Sequence, residues 1–420
     1  MRFLMVCTFY PPYSFGGDAI SIREWSQALV RRGHHVTVVH AAEAFTALHP
    51  DPLPPQSSTP DDAGIEVIAL QSRWPTLSAA LVQQVGAPVL HRRQLRHLLQ
   101  HGGFDVVVYH NPSLIGGPGM LAWPTPATTV YVAREHWLVC ATHVLLRNKR
   151  EPCTTRSCLR CSLVYRRPPQ LWRYTGAMAR GLAKMDLVIA LSEFSRDKHR
   201  EGGVTRPMAV LPNFVPDQPA PADPLAEPHG PARRRPYFLF VGRLERIKGL
   251  DDVIPLFHAL PDVDLLIVGE GSDGDRLREV GRDAPNVHFL GRIAHERVAS
   301  YYRDAIATVV PSLGFEAFAR VLIESMQAGV PFVARRIGPA VEVAAVSGAG
   351  ELFATPEELL LILRRLVEDR GYRDRLALRA LPAVATHWSE TVVVEQFLAM
   401  VRAARERGVP AGTSPISSEA

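Results

Sequence analysis

Two short segments carry residue types able to act on an anionic ligand. The first, Pro311-Ser312-Leu313-Gly314-Phe315-Glu316-Ala317-Phe318-Ala319-Arg320-Val321-Leu322-Ile323-Glu324, follows an apolar run and opens a stretch of helical period. A strand-to-helix turn at the carboxyl edge of a parallel sheet is where open α/β domains take ligands, and the helix start offers unpaired N–H groups. Glu316 is expected at the tip of that turn and Glu324 about two turns into the helix; eight positions of continuous helix rise about 12 Å, enough to hold two ends of an extended ligand such as a sugar and a ribose. Two glutamates on a surface helix also fit plain solvated charges. The second segment, Val241-Gly242-Arg243-Leu244-Glu245-Arg246-Ile247-Lys248-Gly249, again follows an apolar run. Its glycines let backbone approach a ligand, while Arg243 supplies a fork and Lys248 a point charge suited to a diphosphate; a solvated basic loop is the competing reading. A cationic strand end and a carboxylate-bearing strand end in one domain are what a nucleotide-sugar site requires.

Cys140, Cys153, Cys158 and Cys161 form C-x12-C-x4-C-x2-C. Four thiolates from one segment could close a tetrahedral structural zinc site; an iron–sulfur cluster needs the same ligand count, and free thiols are the plain alternative. Cys7 falls in the first apolar run and reads as core.

The elements that must position these residues are those of an α/β protein: short β-branched runs alternate with helix-period segments from end to end. Strands are expected near Phe3–Cys7, Val36–His40, Val67–Leu70, Val106–His110, Thr129–Val132, Leu187–Ala190 and Ala209–Leu211, and then, after a break, at Tyr237–Val241, Leu265–Val268, Val287–Leu290, Ala307–Val310 and Pro331–Ala334. Several are too uniformly apolar for a sheet with one solvated face, which suits parallel sheets covered by helices. In the helix after the first strand, Ile22, Trp25 and Leu29 recur at helical spacing, with Asp18 expected to cap its start and Gly33 to take the left-handed position after its end. The break, 216–236, holds seven prolines and reads as a linker between domains 1–215 and 237–387. A terminal amphipathic helix with Val393, Phe397 and Val401 on one face is expected within 388–407, followed by a disordered tail, 408–420.

Composition fits a packed globule: 47% hydrophobic, 21% charged, net charge 47 − 42 = +5 with 16 histidines. Collagen-like, coiled-coil and wholly disordered classes are excluded, and no apolar run approaches the ~18 residues of a membrane span. The first apolar run ends too soon before Pro11-Pro12 for a signal peptide, so a cytoplasmic protein is expected. The arginines between Arg147 and Arg180 match no nucleic-acid module, and nucleic acid is not an expected partner. Arg166, Arg167 and Arg173 beside Trp172 could favour peripheral contact with the cytoplasmic membrane, against the plainer reading of a solvated basic surface. Gly269-Glu270-Gly271-Ser272-Asp273-Gly274 fits G-x-G-x-x-G, so an NAD-dependent oxidoreductase is weighed. It is the weaker reading, because the motif sits on the second strand of the second domain and no acidic strand end follows about 20 residues on.

Strand-Gly-Arg-x4-Lys-Gly, then Pro-Ser-x3-Glu-x7-Glu, then Ala328-Gly329-Val330-Pro331 resembles glycosyltransferase family 4. Gly16-Gly17, Phe104-Asp105-Val106-Val107-Val108-Tyr109-His110, Asp186-Leu187-Val188-Ile189-Ala190-Leu191-Ser192 and Leu211-Pro212-Asn213 extend the resemblance over nearly the whole chain. It implies the GT-B fold, two Rossmann-like domains facing each other across a cleft, and a retaining enzyme that moves a sugar from a nucleoside diphosphate (UDP or GDP) to an acceptor hydroxyl. By the same resemblance Arg243 and Lys248 bind the donor diphosphate, Glu316 and the following Ala317, Phe318 and Ala319 meet the donor sugar, and Glu324 holds the ribose. Gly16 and Gly17 bring backbone amides from the other domain, and His288 to Arg292, with Phe289 and Leu290, line the base pocket. His110 and Asn111 lie on the acceptor side, and no catalytic metal is expected. The family's strand-end histidine falls in Arg134-Glu135-His136-Trp137, where His136 is the residue expected near the donor sugar, with plain packing as the alternative. Cysteine-bearing insertions such as that at about 137–175 occur in a branch of the family, which points to a structural role. Ala317 and Ala319 stand where the family often has glycine, and Pro339 replaces a second glycine after Gly338; a degenerate, non-catalytic homologue is therefore a third reading.

Overall fold

In a computed structural model the described residues are 1–14, 16–48, 62–217 and 235–408. The chain builds two parallel sheets. The first has seven strands in the order β3-β2-β1-β4-β5-β8-β9, with β1 Arg2–Cys7, β2 His35–His40, β3 Ile65–Ala69, β4 Val106–His110, β5 Thr128–Ala133, β8 Leu187–Ala190 and β9 Ala209–Val210. Between β5 and β8 runs a two-stranded antiparallel ribbon, β6 Leu146–Arg147 and β7 Glu151–Pro152. The second sheet has six strands in the order β12-β11-β10-β13-β14-β15, with β10 Tyr237–Val241, β11 Asp264–Val268, β12 Val287–Gly291, β13 Thr308–Val310, β14 Phe332–Arg335 and β15 Gly350–Phe353.

Both faces of each sheet are covered, which is why the strands read as unbroken apolar runs. Phe3, Met5 and Cys7 enter one core, with Trp25, Leu29 and Phe397, whereas Leu4 and Val6 enter the opposite one with Leu95, Leu99 and Trp137. In the second sheet Phe238 and Phe240 face Leu359 and Leu363, and Leu239 faces Tyr301 and Tyr302. This period of two across a sheet is what makes each strand serve two cores at once.

Several expectations are corrected. The first helix, Gly17–Arg31, is preceded by Gly16 with no side-chain cap, so Asp18 lies inside the first turn rather than at the cap; Gly33 does take a left-handed φ of +76°. The helix after β13 begins only at Arg320 and ends at Gln327, so the stretch from Glu316 to Glu324 is not continuous helix and the 12 Å rise does not apply. Ribbon β6–β7 and strand β15 had no counterpart among the expected strands. The last helix, Glu390–Gly408, packs Val393, Phe397 and Val401 into the core of the first sheet. Of the expected linker, 218–234 lies outside the described residues, as does the tail after Gly408.

Candidate active site

In each sheet the strand order reverses direction at one place: between β1 and β4 in the first, between β10 and β13 in the second. Loops leaving the carboxyl ends there part to opposite faces and open a crevice. The Gly242–Gly249 and Pro311–Ala319 loops flank the crevice of the second sheet; the Gly16-Gly17 loop and His110-Asn111 flank that of the first.

The two loops of the second sheet are joined tightly. The Leu313 N–H donates to Ile247 O at 2.7 Å. Gly249 has φ +73°, and a Cβ there would overlap Pro311 O. A Cβ on Gly314 would likewise collide with Ile247. The junction sets Lys248 Nζ 2.8 Å from Glu316 Oε1, and Ser312 Oγ donates to the same oxygen at 2.6 Å. Burial by itself would raise the Glu316 pKa, but the Lys248 ammonium, these hydrogen bonds and nearby Arg243 hold it below the usual value. Arg243 is half exposed and pairs with Glu245 at 2.6 Å. Gly269 and Gly271 pack against the backbone of Gly242 and Leu244, with no room for a Cβ, and the Leu244 N–H donates to Glu270 O. Gly269 and Gly271 thus serve the close packing of two loops, which accounts for two of the three glycines of the G-x-G-x-x-G stretch without a dinucleotide.

Glu324 stands beyond this junction, its Oε2 accepting from Tyr302 OH at 2.9 Å and its Oε1 from Arg320 Nε at 2.7 Å. Arg320 also reaches the first domain, where Nη1 donates to Ser21 Oγ at 3.1 Å and Nη2 to Glu24 Oε1 at 2.6 Å. Other contacts join the halves: Ser192 Oγ donates to Ala317 O at 2.9 Å, the Glu193 N–H donates to the Glu342 carboxylate at 3.0 Å, and Phe194 meets Phe315 with ring centroids 5.0 Å apart. Ala317 and Ala319 are buried and Phe318 half-buried, packed in the cores rather than turned to an open crevice. Gly338, at φ +62°, precedes helix Pro339–Ser347 and lies close to Phe194 and Glu316, with Pro339 at the first helical position. Phe289 and Leu290 lie half-buried on edge strand β12, Phe289 beneath the Arg278 guanidinium at 5.6 Å.

On the opposite side, Gly16 and Gly17 leave open space at the start of the first helix. His136 is buried beside His199, ring centroids 5.2 Å apart, near the backbone of Phe315 and Glu316. Burial, with His199 adding to it, lowers its pKa to about 3, so the ring is neutral. His110 is buried and its Nδ1 accepts from Arg134 Nε at 3.0 Å, so it supports Arg134 and does not line the crevice itself. Asn111 has a left-handed φ of 44°, a conformation asparagine adopts more readily than most residues, and its amide donates to Glu135.

Four further residues were not expected at the site from sequence. Arg134, at the end of β5, is fully buried, donates to Asn213 Oδ1 at 3.0 Å and lies 3.7 Å from Asp18. Glu135 also accepts from His143 at 2.7 Å. The Asp18 carboxylate, its side chain 45% exposed, faces the buried Arg134 guanidinium. Arg320 is the fourth; its i,i+4 spacing from Glu324 was the one available signal.

The four cysteines border one cavity with Lys198 and Glu201, and the Asn148 N–H points to Cys161 Sγ at 3.5 Å. Burial and the neighbouring sulfurs raise the Cys153 and Cys158 pKa values, which favours thiols over thiolates. Among the described residues no three His, Cys, Asp or Glu side chains are arranged to hold a metal ion. The four cysteines of the expected zinc site thus lie together around one cavity.

Comparison with known proteins covers both halves. Residues 15–218 match the model described as Glycosyltransferase Family 4, and residues 223–380 the one described as Glycosyl transferases group 1. The chain is 28% identical over 422 residues to the phosphatidyl-myo-inositol mannosyltransferase of Mycolicibacterium smegmatis, covering 97% of this chain and 95% of that one. It is 35% identical over 184 residues to a D-inositol 3-phosphate glycosyltransferase of Nocardiopsis dassonvillei, a match spanning 39% of this chain and 42% of that relative. In structure it resembles sucrose-phosphate synthase of Thermosynechococcus elongatus, with a TM-score of 0.68 at 19% identity over 97% of this chain and 99% of that one. An Anabaena protein solved in complex with UDP and glucose superposes with a TM-score of 0.66 at 18% identity over 96% and 99%.

Proposed function

Because the chain belongs to glycosyltransferase family 4, is a glycosyltransferase and has the GT-B fold, we propose that it moves a sugar from a nucleoside-diphosphate sugar to an acceptor hydroxyl with retention of configuration. The observation that carries this reading is the junction at the second sheet's crevice, where Lys248 and Glu316 meet 2.8 Å apart with Arg243 nearby. In it, Arg243 and Lys248 take the donor diphosphate. Departure of that group builds negative charge, which fixed cations and backbone dipoles in a crevice closed to water stabilise without reorganising. Glu316 then orients the sugar, and Glu324, already fixed by Tyr302 and Arg320, accepts from the ribose hydroxyls. Neutral His136 braces the Glu316 loop from below. The structural neighbours solved with UDP support a uridine donor as the first to test, with GDP second. The inositol-bearing acceptors in the relatives' names make a cyclic polyol or its phosphate ester the first acceptor class to try.

A thermal-shift panel of UDP, GDP, ADP, their sugar conjugates, NAD and NADP tests the donor. A ligand at about 100 times its dissociation constant adds about 2.7 kcal/mol, a shift of several degrees in domains of this size. One nucleoside diphosphate is expected to stabilise the protein and to do so less with Glu324→Ala. Stabilisation by NAD alone, or by nothing, removes the reading.

A further inference from the structure

Helix Pro75–Val85 is turned the unusual way round. Its inward face carries Ser78, Ala79 and Val82, with Ser78 donating to the buried Glu43 carboxylate, which His91 also meets at 2.8 Å. The outward face carries Trp74, Leu77, Leu81 and Val85, spaced by three, four and four residues and so aligned along one side. Trp74 is 58% exposed, Leu77 51% and Val85 55%. The neighbouring turn Leu171–Tyr174 is joined to this helix: Trp172 Nε1 donates to Gln83 O at 2.9 Å, and the Trp172 ring fills the space beside Gly86. That turn exposes Leu171 and Tyr174 still more fully, at 67% and 72%. Exposed apolar side chains on two joined elements exceed the scattered single ones of an ordinary surface.

The charge around them has one sign. From Val67 to Phe104 there is no Asp or Glu, but there are four arginines: Arg73, Arg92, Arg93 and Arg96. From Pro152 to Met185 there is again no acid, with six arginines and one lysine. In a chain with 42 acidic residues these two stretches, which pack against each other, have none. Arg73, Arg92, Arg93, Arg180 and Lys184 are exposed.

We propose that this face of the first domain, helix Pro75–Val85 with the Leu171–Tyr174 turn, docks on the surface of an anionic lipid bilayer. Trp74, Leu77, Val85, Leu171 and Tyr174 enter the headgroup–acyl boundary while the surrounding arginines meet lipid phosphates. An apolar stripe alone would suit any greasy partner; its acid-free surround selects a surface of spread negative charge, where each basic group adds to the attraction. The contact is peripheral: among the described residues no helix is long and apolar enough to cross a membrane.

Co-sedimentation of the full chain with vesicles tests it, using phosphatidylcholine alone and phosphatidylcholine with about one third phosphatidylglycerol. The wild type is expected to pellet with the anionic vesicles at low salt, at least about tenfold less with the neutral ones, and progressively less as salt rises. Trp74→Ser combined with Leu77→Ser, and separately Arg92→Gln combined with Arg93→Gln, are expected each to weaken binding by about tenfold with unchanged circular dichroism. A wild type that stays in the supernatant overturns the proposal, as do variants that bind like wild type. Sedimentation velocity showing a dimer that Trp74→Ser/Leu77→Ser dissolves, without vesicle binding, overturns it in favour of a second copy of the chain. None of these readouts depends on glycosyl transfer.

Discussion

Lys248 is held by its neighbours before any ligand arrives, so its removal should act on chemistry more than on folding. Lys248→Ala is expected to lower transfer by about 10²–10³-fold, the usual effect of deleting one charge-stabilising donor, with the fold retained and a stability loss of about 1–3 kcal/mol from the Glu316 carboxylate left without its cation.

At the scale of elements, the loop after β10 and the loop after β13 act as one unit because two glycines, Gly249 and Gly314, allow them to touch. Gly249→Ala combines a left-handed φ with a collision against Pro311 O, so a loss of at least about 1–3 kcal/mol is expected by denaturant titration, along with weaker nucleotide binding. The cysteine segment is tested by elemental analysis of protein purified without chelator. One zinc per chain, lost with Cys158→Ser, would support the expected site, and zinc-free protein with five reactive thiols after denaturation would remove it. Sequence patterning made most strands legible, since a strand buried on both faces has no polar residue to break its run. Strand β15, Gly-Glu-Leu-Phe at a sheet edge, lacks that signal, and two-residue strands such as β6 carry almost none. Arg243, Lys248, Glu316 and Glu324 were legible because each pair lies within nine residues. Asp18, Arg134 and Glu135 were not, because only the pairing of β1, β4 and β5 brings segments 100 residues apart to one edge. The Asp18 cap failed for a related reason: Gly16 already serves as the turn into the helix.

For the molecule as a whole, the two halves meet through polar and aromatic contacts, among them the ion pair of Arg320 with Glu24, each side chain about one-tenth exposed. Glu24→Ala is expected to cost about 1.5–3 kcal/mol and to raise the donor KM, since the freed guanidinium can then turn both prongs onto Glu324. Thermal unfolding and initial-rate kinetics check the two effects. The chain also passes between the halves twice, first near Val215 and again where Ser389 pairs beside it, before the last helix lies against Trp25 and Phe214. Phe397 sits 5.1 Å from the Trp25 ring in the core of the first sheet. During synthesis, then, the half made first cannot complete its core until helix Glu390–Gly408 has been added, whereas the sheet of the second half is complete by Phe353. The order of translation and the order of folding are opposed in this chain, and a ribosome stalled just before that helix would carry a second domain with its sheet complete and a first domain with a raw apolar flank.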